Sequence, residues 1–136
     1  DLVEWSCLED SRKAIEGNKT IDTWQQGFLN LFEAVRESKP FIMNVYRSVS
    51  REQVETYLYS VTEDLLRGVV EEQAKDMNVR EEDKCFIADV YKYAFVGLML
   101  DWIKGDMKQD PEELVERLGL VIHGGIRAAL NRFCTG

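Results

Sequence analysis

The stretch VGLMLDWIKGDMKQDPEELVERL, Val96 to Leu118, constrains the fold more than any other part of the chain. A nearly all-apolar segment stops at Gly105, and a new helix is specified a few residues later. Asp110 supplies a side-chain acceptor at the N-cap, Pro111 takes the first helical position where its missing N–H costs nothing, and Glu113 stands at N3 to close a capping box. The spacing predicts two helices joined by a short turn, a hairpin at the C-terminal end of the chain.

The rest reads as helix too. Leu2, Trp5, Leu8 and Ile15 fall on one side of a helix over residues 1–16 that ends near Gly17-Asn18. Asp22 and Gln25 form a second capping box, followed by the stripe Trp24, Phe28, Leu31, Phe32 and Val35. Lys39-Pro40 breaks that helix and presets a short one through Phe41, Ile42, Val45 and Tyr46. Ser50 with Gln53 caps a helix running to about Met77, with Val54, Leu58, Val61, Leu65 and Val69 as its main stripe and Tyr59, Leu66 and Val70 as a second apolar line. Asn78 and Glu81 cap the helix Val79 to Lys104, and the last runs from Pro111 to about Phe133 with Leu114, Leu118, Ile122, Ile126 and Leu130 in register. Nothing alternates with period two over a useful length. The expectation is an all-α bundle of six helices, without internal repeat, in a single domain spanning 1–136.

A chain of 136 residues suits one domain, which buries roughly 68–70% of its unfolded surface. Lysine and arginine total 17 against 25 aspartate and glutamate, and the net charge of −8 opposes the counterion-release attraction on which nucleic-acid binding rests. Cys7, Cys85 and Cys134 are odd in number and lack a C-x-x-C spacing, so neither a disulfide framework nor a thiolate zinc site is expected, and a reducing cytoplasm fits. The longest apolar run, Tyr93 to Leu100, falls far short of the roughly 20 residues of a membrane span. The sequence opens on Asp1 directly at an apolar-periodic segment, as expected of a piece of a longer protein.

Between Phe86 and Ile103 the charged residues are Asp89, Lys92 and Asp101 alone, and a helix apolar around most of its circumference needs cover on most sides. The last helix also has a second apolar or small face, with Val115, Gly119, Val121, Gly125, Ala128 and Ala129. Gly27, Gly68, Gly97, Gly119, Gly124 and Gly125 fall inside predicted helices, where each costs about 1 kcal/mol relative to alanine. Close backbone approach is the expected gain. The hairpin 79–133 is therefore read as one half of a four-helix bundle between two subunits, with Gly97, Trp102, Ile122, Gly125, Ile126 and Ala129 at the contact. The other reading is that these glycines pack the hairpin on its own core.

Catalysis has no support in the residues. His123 is the single histidine, which excludes His-based pairs, triads and multi-His metal sites within one chain, and no Glu-x-x-His, G-x-x-x-x-G-K, G-x-G-x-x-G or H-E-x-x-H occurs. No cofactor is expected. Glu81-Glu82-Asp83 reads as a solvated helix start, favourably placed against the helix dipole. Aromatic residues give a pocket modest support: Trp24, Phe28, Tyr46, Tyr57, Tyr91 and Phe95 are the candidate ligand contacts, the tyrosines for their hydroxyls, although core packing explains the tryptophan and phenylalanines equally well.

The hairpin resembles the C-terminal half of TetR-family transcriptional regulators, most closely the branch that includes the dihydroxyacetone-kinase activator type. Trp102, Met107, Lys108, Pro111, Glu112 and Glu113 stand in the places of that branch's apolar run, tryptophan, Gly-Met-Lys turn and Pro-Glu-Glu helix start, and Phe41 after Lys39-Pro40 also fits. The glycine usual beside the methionine is replaced by Asp106, with Gly105 one residue earlier. The resemblance implies a dimeric effector-binding domain in which residues 1–16 connect to a helix-turn-helix headpiece that this chain lacks. The last two helices dimerise, and the preceding four enclose a pocket. The implied partners are a second copy and an unknown small, largely apolar effector, with DNA reached only through the headpiece and no membrane contact. The alternative is a free-standing helical protein-interaction module without a small-molecule pocket. A small helical enzyme would need a nucleophile, base or metal cluster that the chain does not offer.

Overall fold

The computed structural model describes residues 12–135, and these are helical with no strand among them. Residues 12–15 are helical, and six further helices follow: α1 (Trp24–Glu37), α2 (Lys39–Tyr46), α3 (Arg51–Gln73), α4 (Glu81–Lys104), α5 (Pro111–Ile122) and α6 (Gly125–Phe133). The all-α reading stands. Leu2, Trp5 and Leu8 of the expected connecting helix lie outside the described residues, while Ile15 is buried in the core.

Helices α3 and α4 form the central antiparallel pair. Lys84 reaches Glu71, Arg67 reaches Glu81 and Cys85, and Tyr59 stacks on Tyr93, so residue numbers rise along one helix as they fall along the other. Against this pair α1 lays its expected stripe, with Trp24, Phe28, Leu31, Phe32 and Val35 all buried. Rings from two helices then make one continuous row: Trp24 to Phe95 at 5.3 Å between centroids, Phe95 to Phe28 at 4.8 Å, Phe28 to Phe32 at 4.9 Å and Phe32 to Trp102 at 4.9 Å. The pairs are tilted or edge-on, as the ring quadrupole favours.

Four N-caps were legible as motifs, and one makes its bond. The Asp110 carboxylate accepts from the backbone N–H of Glu112 at 3.2 Å. Thr23, not Asp22, precedes α1, and Ser50 precedes α3 without a side-chain cap. Helix α3 also stops at Gln73 rather than near Met77. Arg80 precedes α4, and Asn78 instead binds Thr135, its Nδ2 donating to the hydroxyl at 2.9 Å while the Thr135 N–H donates to the Asn78 carbonyl at 3.0 Å. A tertiary partner has outbid the local one. The acidic start of α4 does lie in its first turn, and a hydrogen bond from Lys84 holds the Glu81 carboxyl below its ordinary range.

The turn between α4 and α5 places its left-handed residues at Asp106 (φ 65°) and Met107 (φ 56°), while Gly105 keeps a negative φ. Aspartate tolerates this region better than most residues. Lys39 fixes it, donating to the Asp106 carbonyl at 2.9 Å and pairing with its carboxylate at 3.3 Å. Met107 is buried, and its N–H donates to the Trp102 carbonyl at 2.8 Å.

The expected final helix is not continuous. It breaks after Ile122, and Gly124 at φ 75° forms a left-handed joint from which α6 departs. Periodicity carried the register across residues 111–133 but not the break, which only the Gly124-Gly125 pair signals. An L side chain at this φ costs about 1–2 kcal/mol, so Gly124→Ala is expected to lower stability by that amount. A urea titration checks it through a lower midpoint at unchanged slope.

Candidate functional site

Two surface features stand out once the core is accounted for. The first is a cavity of about 290 Å³ between the start of α1, the end of α3 and the joint of α5 and α6. Ile21, Trp24, Ile122 and Ile126 give it an apolar body, and Asp22, Gln25, Gln73, His123 and Arg127 bring polar groups to it. Trp24 and Ile126 are buried, whereas Gln25, His123 and Arg127 are exposed. The Arg127 guanidinium is oriented by a 3.0 Å bond from Nη1 to the Gln73 carbonyl. At Gly119 an added Cβ would meet the Gln25 amide, the far end of an exposed side chain that would have to shift.

The second feature is the outward side of α4. Phe86, Val90, Tyr93, Ala94, Gly97 and Leu98 are exposed at helical spacing, with Phe86 and Tyr93 each 60% accessible. The opposite side, with Ile87, Ala88, Phe95, Val96, Met99 and Trp102, fills the core. Close to the cavity, Leu120 and Val121 of α5 are also open, at 75% and 83%.

The structure divides the expected ligand contacts among several places. Trp24, Phe28 and Phe95 pack on one another, and of the three only Trp24 also reaches the cavity. Phe28 and Phe95 lie in the core, at 1% and 0% exposure, packed against neighbouring rings. Tyr46 is buried at the end of α2 under the Arg51 guanidinium, 5.5 Å from the ring centroid. Tyr57 lines an open hollow of about 510 Å³ along α3, together with Glu52, Gln53, Thr56 and Ser60. Tyr91 lies with its hydroxyl against Gly125. These positions do not converge on one pocket.

The expected contact residues divide similarly. Gly97 lies on the open side of α4, where an added Cβ would meet nothing within 4 Å. Trp102 and Ile126 lie in the subunit's own interior, at 1% and 3% exposure, where the first closes the aromatic row and the second floors the cavity. Ile122 is half-buried at that cavity and Ala129 half-buried against the core. Gly125 makes a close approach to the Tyr91 hydroxyl within the chain. Sequence reasoning missed Phe86, Val90, Leu98, Gln25 and Arg127. The α4 residues were findable by counting away from Phe95 and Trp102, but only after one knew which apolar side turns inward.

A family model described as "Transcriptional regulator C-terminal region", of the TetR type, matches residues 22–124, most of the chain. The chain belongs to the TetR-family C-terminal regulatory domains. The matched span runs from the start of α1 to the left-handed glycine and includes the whole Trp102 to Glu113 motif. No curated protein and no solved structure matches the chain. TetR-family domains of this kind are typically non-enzymatic. Among the described residues no three His, Cys, Asp or Glu side chains assemble as a metal site requires, and no helix is long and apolar enough to cross a membrane.

Proposed function

We propose that this TetR-family domain binds a small effector and pairs with a second copy of itself, and thereby controls a helix-turn-helix headpiece in the full-length cytoplasmic regulator. The observation that carries the reading is the outward side of α4, where Phe86, Val90, Tyr93 and Leu98 stand exposed in line beside Gly97. Among the described residues no helix covers that side, and α3 and α1 pack on the opposite one. A two-fold axis beside Gly97 would bury the stripe against its copy, with Leu120, Val121 and Phe133 at its margin. The cavity at the α5–α6 joint supports the effector part of the reading. Its occupation would act by population shift, favouring one arrangement of the helices that lead to the headpiece.

Multi-angle light scattering at micromolar concentration tests the pairing. The expected mass is twice that of the chain, and a single-chain mass at that concentration removes the reading.

A further inference from the structure

We infer that the cavity at the α5–α6 joint takes a small apolar molecule ending in one carboxylate, with Arg127 reading its charge. The inference deepens the effector reading above and rests on it. Size comes first. A cavity of about 290 Å³ lies at the lower end for small-molecule sites, which suits a ligand on the order of ten non-hydrogen atoms. Trp24 and Ile126 form a buried apolar floor, with Ile21 and Ile122 beside them, so the body of the ligand is hydrocarbon.

The polar end is chosen by the donors. Arg12, Arg36, Arg67, Arg80 and Arg127 are the described arginines held by a hydrogen bond. The first four each pair with a carboxylate: Asp64, Glu33, Glu81 and Asp83. Arg127 differs from these four in having no described carboxylate within 4 Å; its one bond goes to the Gln73 carbonyl. A guanidinium presents five donors in a planar fork that matches a carboxylate, and one bond to a carbonyl leaves the rest of the fork open. The Gln25 amide, in the same lining, adds a neutral donor. Asp22 is the one acceptor-only group in the lining. It repels a ligand carboxylate, which therefore belongs at the Arg127 end of the cavity, and a second negative charge is disfavoured.

Three matched probes test the inference on the 136-residue chain by amide NMR titration: 3-phenylpropanoate, 3-phenylpropanamide and 3-phenylpropylamine. The carboxylate is expected to shift the amides of Gly119, Gly124, Ile126 and Arg127, and to bind at least tenfold more tightly than the amide or the amine. Arg127→Met, an exposed change, should weaken the carboxylate at least tenfold and leave the amide's affinity unchanged. Equal affinity for the three probes, preference for the amine, indifference to Arg127→Met, shifts confined to residues 52–60 of α3, or no binding at millimolar concentration would each overturn it. The pairing reading fails separately, through a single-chain mass in the absence of any probe.

Discussion

Trp102→Ala is expected to remove about 3–5 kcal/mol of stability, the cost of emptying a large buried aromatic site. The indole is 1% exposed, meets Phe32 edge-on at 4.9 Å, and donates from Nε1 to the Gln109 carbonyl at 2.9 Å. Truncation takes away the end of the aromatic row and one of the ties that hold the turn before α5. Against a total of roughly 5–15 kcal/mol for a domain, this is a large fraction. Urea denaturation of the wild type and variant measures it. Trp102→Phe should lose distinctly less, because most of the ring's packing against Phe32 is kept. A loss below about 1 kcal/mol for Trp102→Ala would show that Trp102 does not support the core. The same experiment separates this core role from the subunit contact the sequence suggested, since a group at a subunit contact would change the association equilibrium before it changed the fold.

Val90→Glu combined with Leu98→Glu is expected to weaken pairing at least about a hundredfold while leaving the helical subunit intact. Both side chains point outward from α4, at 51% and 37% exposure, so within one subunit the new carboxylates meet water. Surface substitutions of this kind change stability by about 0.5 kcal/mol or less. In a two-fold contact each appears twice, and four carboxylates would be brought into an apolar seam without partners, where an unpaired buried charge costs several kcal/mol. Sedimentation velocity across a concentration series should show the variant at single-chain mass with an unchanged circular dichroism spectrum. A variant that still pairs at micromolar concentration would place the contact elsewhere on the molecule.

The helices were legible because their signals are local. The α1 stripe from Trp24 to Val35, the break at Lys39-Pro40 and the restart at Asp110-Pro111 each act within a few residues, and each appears where the chain predicts it. Capping motifs transferred less well for a related reason: a side chain with a free choice takes its best partner anywhere in the fold. Asn78 turns to Thr135, fifty-seven residues away, and Thr23 links to Thr20 rather than to its own helix. The candidate site was less legible still. Aromatic composition suggested a pocket lined by Trp24, Phe28 and Phe95 with Tyr46, Tyr57 and Tyr91, but rings at helical spacing on facing helices fill each other's gaps, and a cavity formed instead where the last helix breaks. Its polar groups, Gln25 and Arg127, carried no signal of their own in an acidic chain with 17 basic residues.

What the sequence by itself determined is the all-helical class, the register of the apolar stripes from Trp24 onward, and the hairpin turn with its Asp110 cap, since these follow from periodicity and from bonds made within one or two turns. The tertiary structure alone decided which side of α4 faces inward, where Gly124 interrupts the closing helix, and which polar side chains meet at a cavity. A helix apolar on two sides gains similar burial energy from either, and the choice falls to the shape of what packs against it. Here the aromatic row of α1 selected the side that carries Phe95 and Trp102 and left Phe86, Val90 and Leu98 open to solvent.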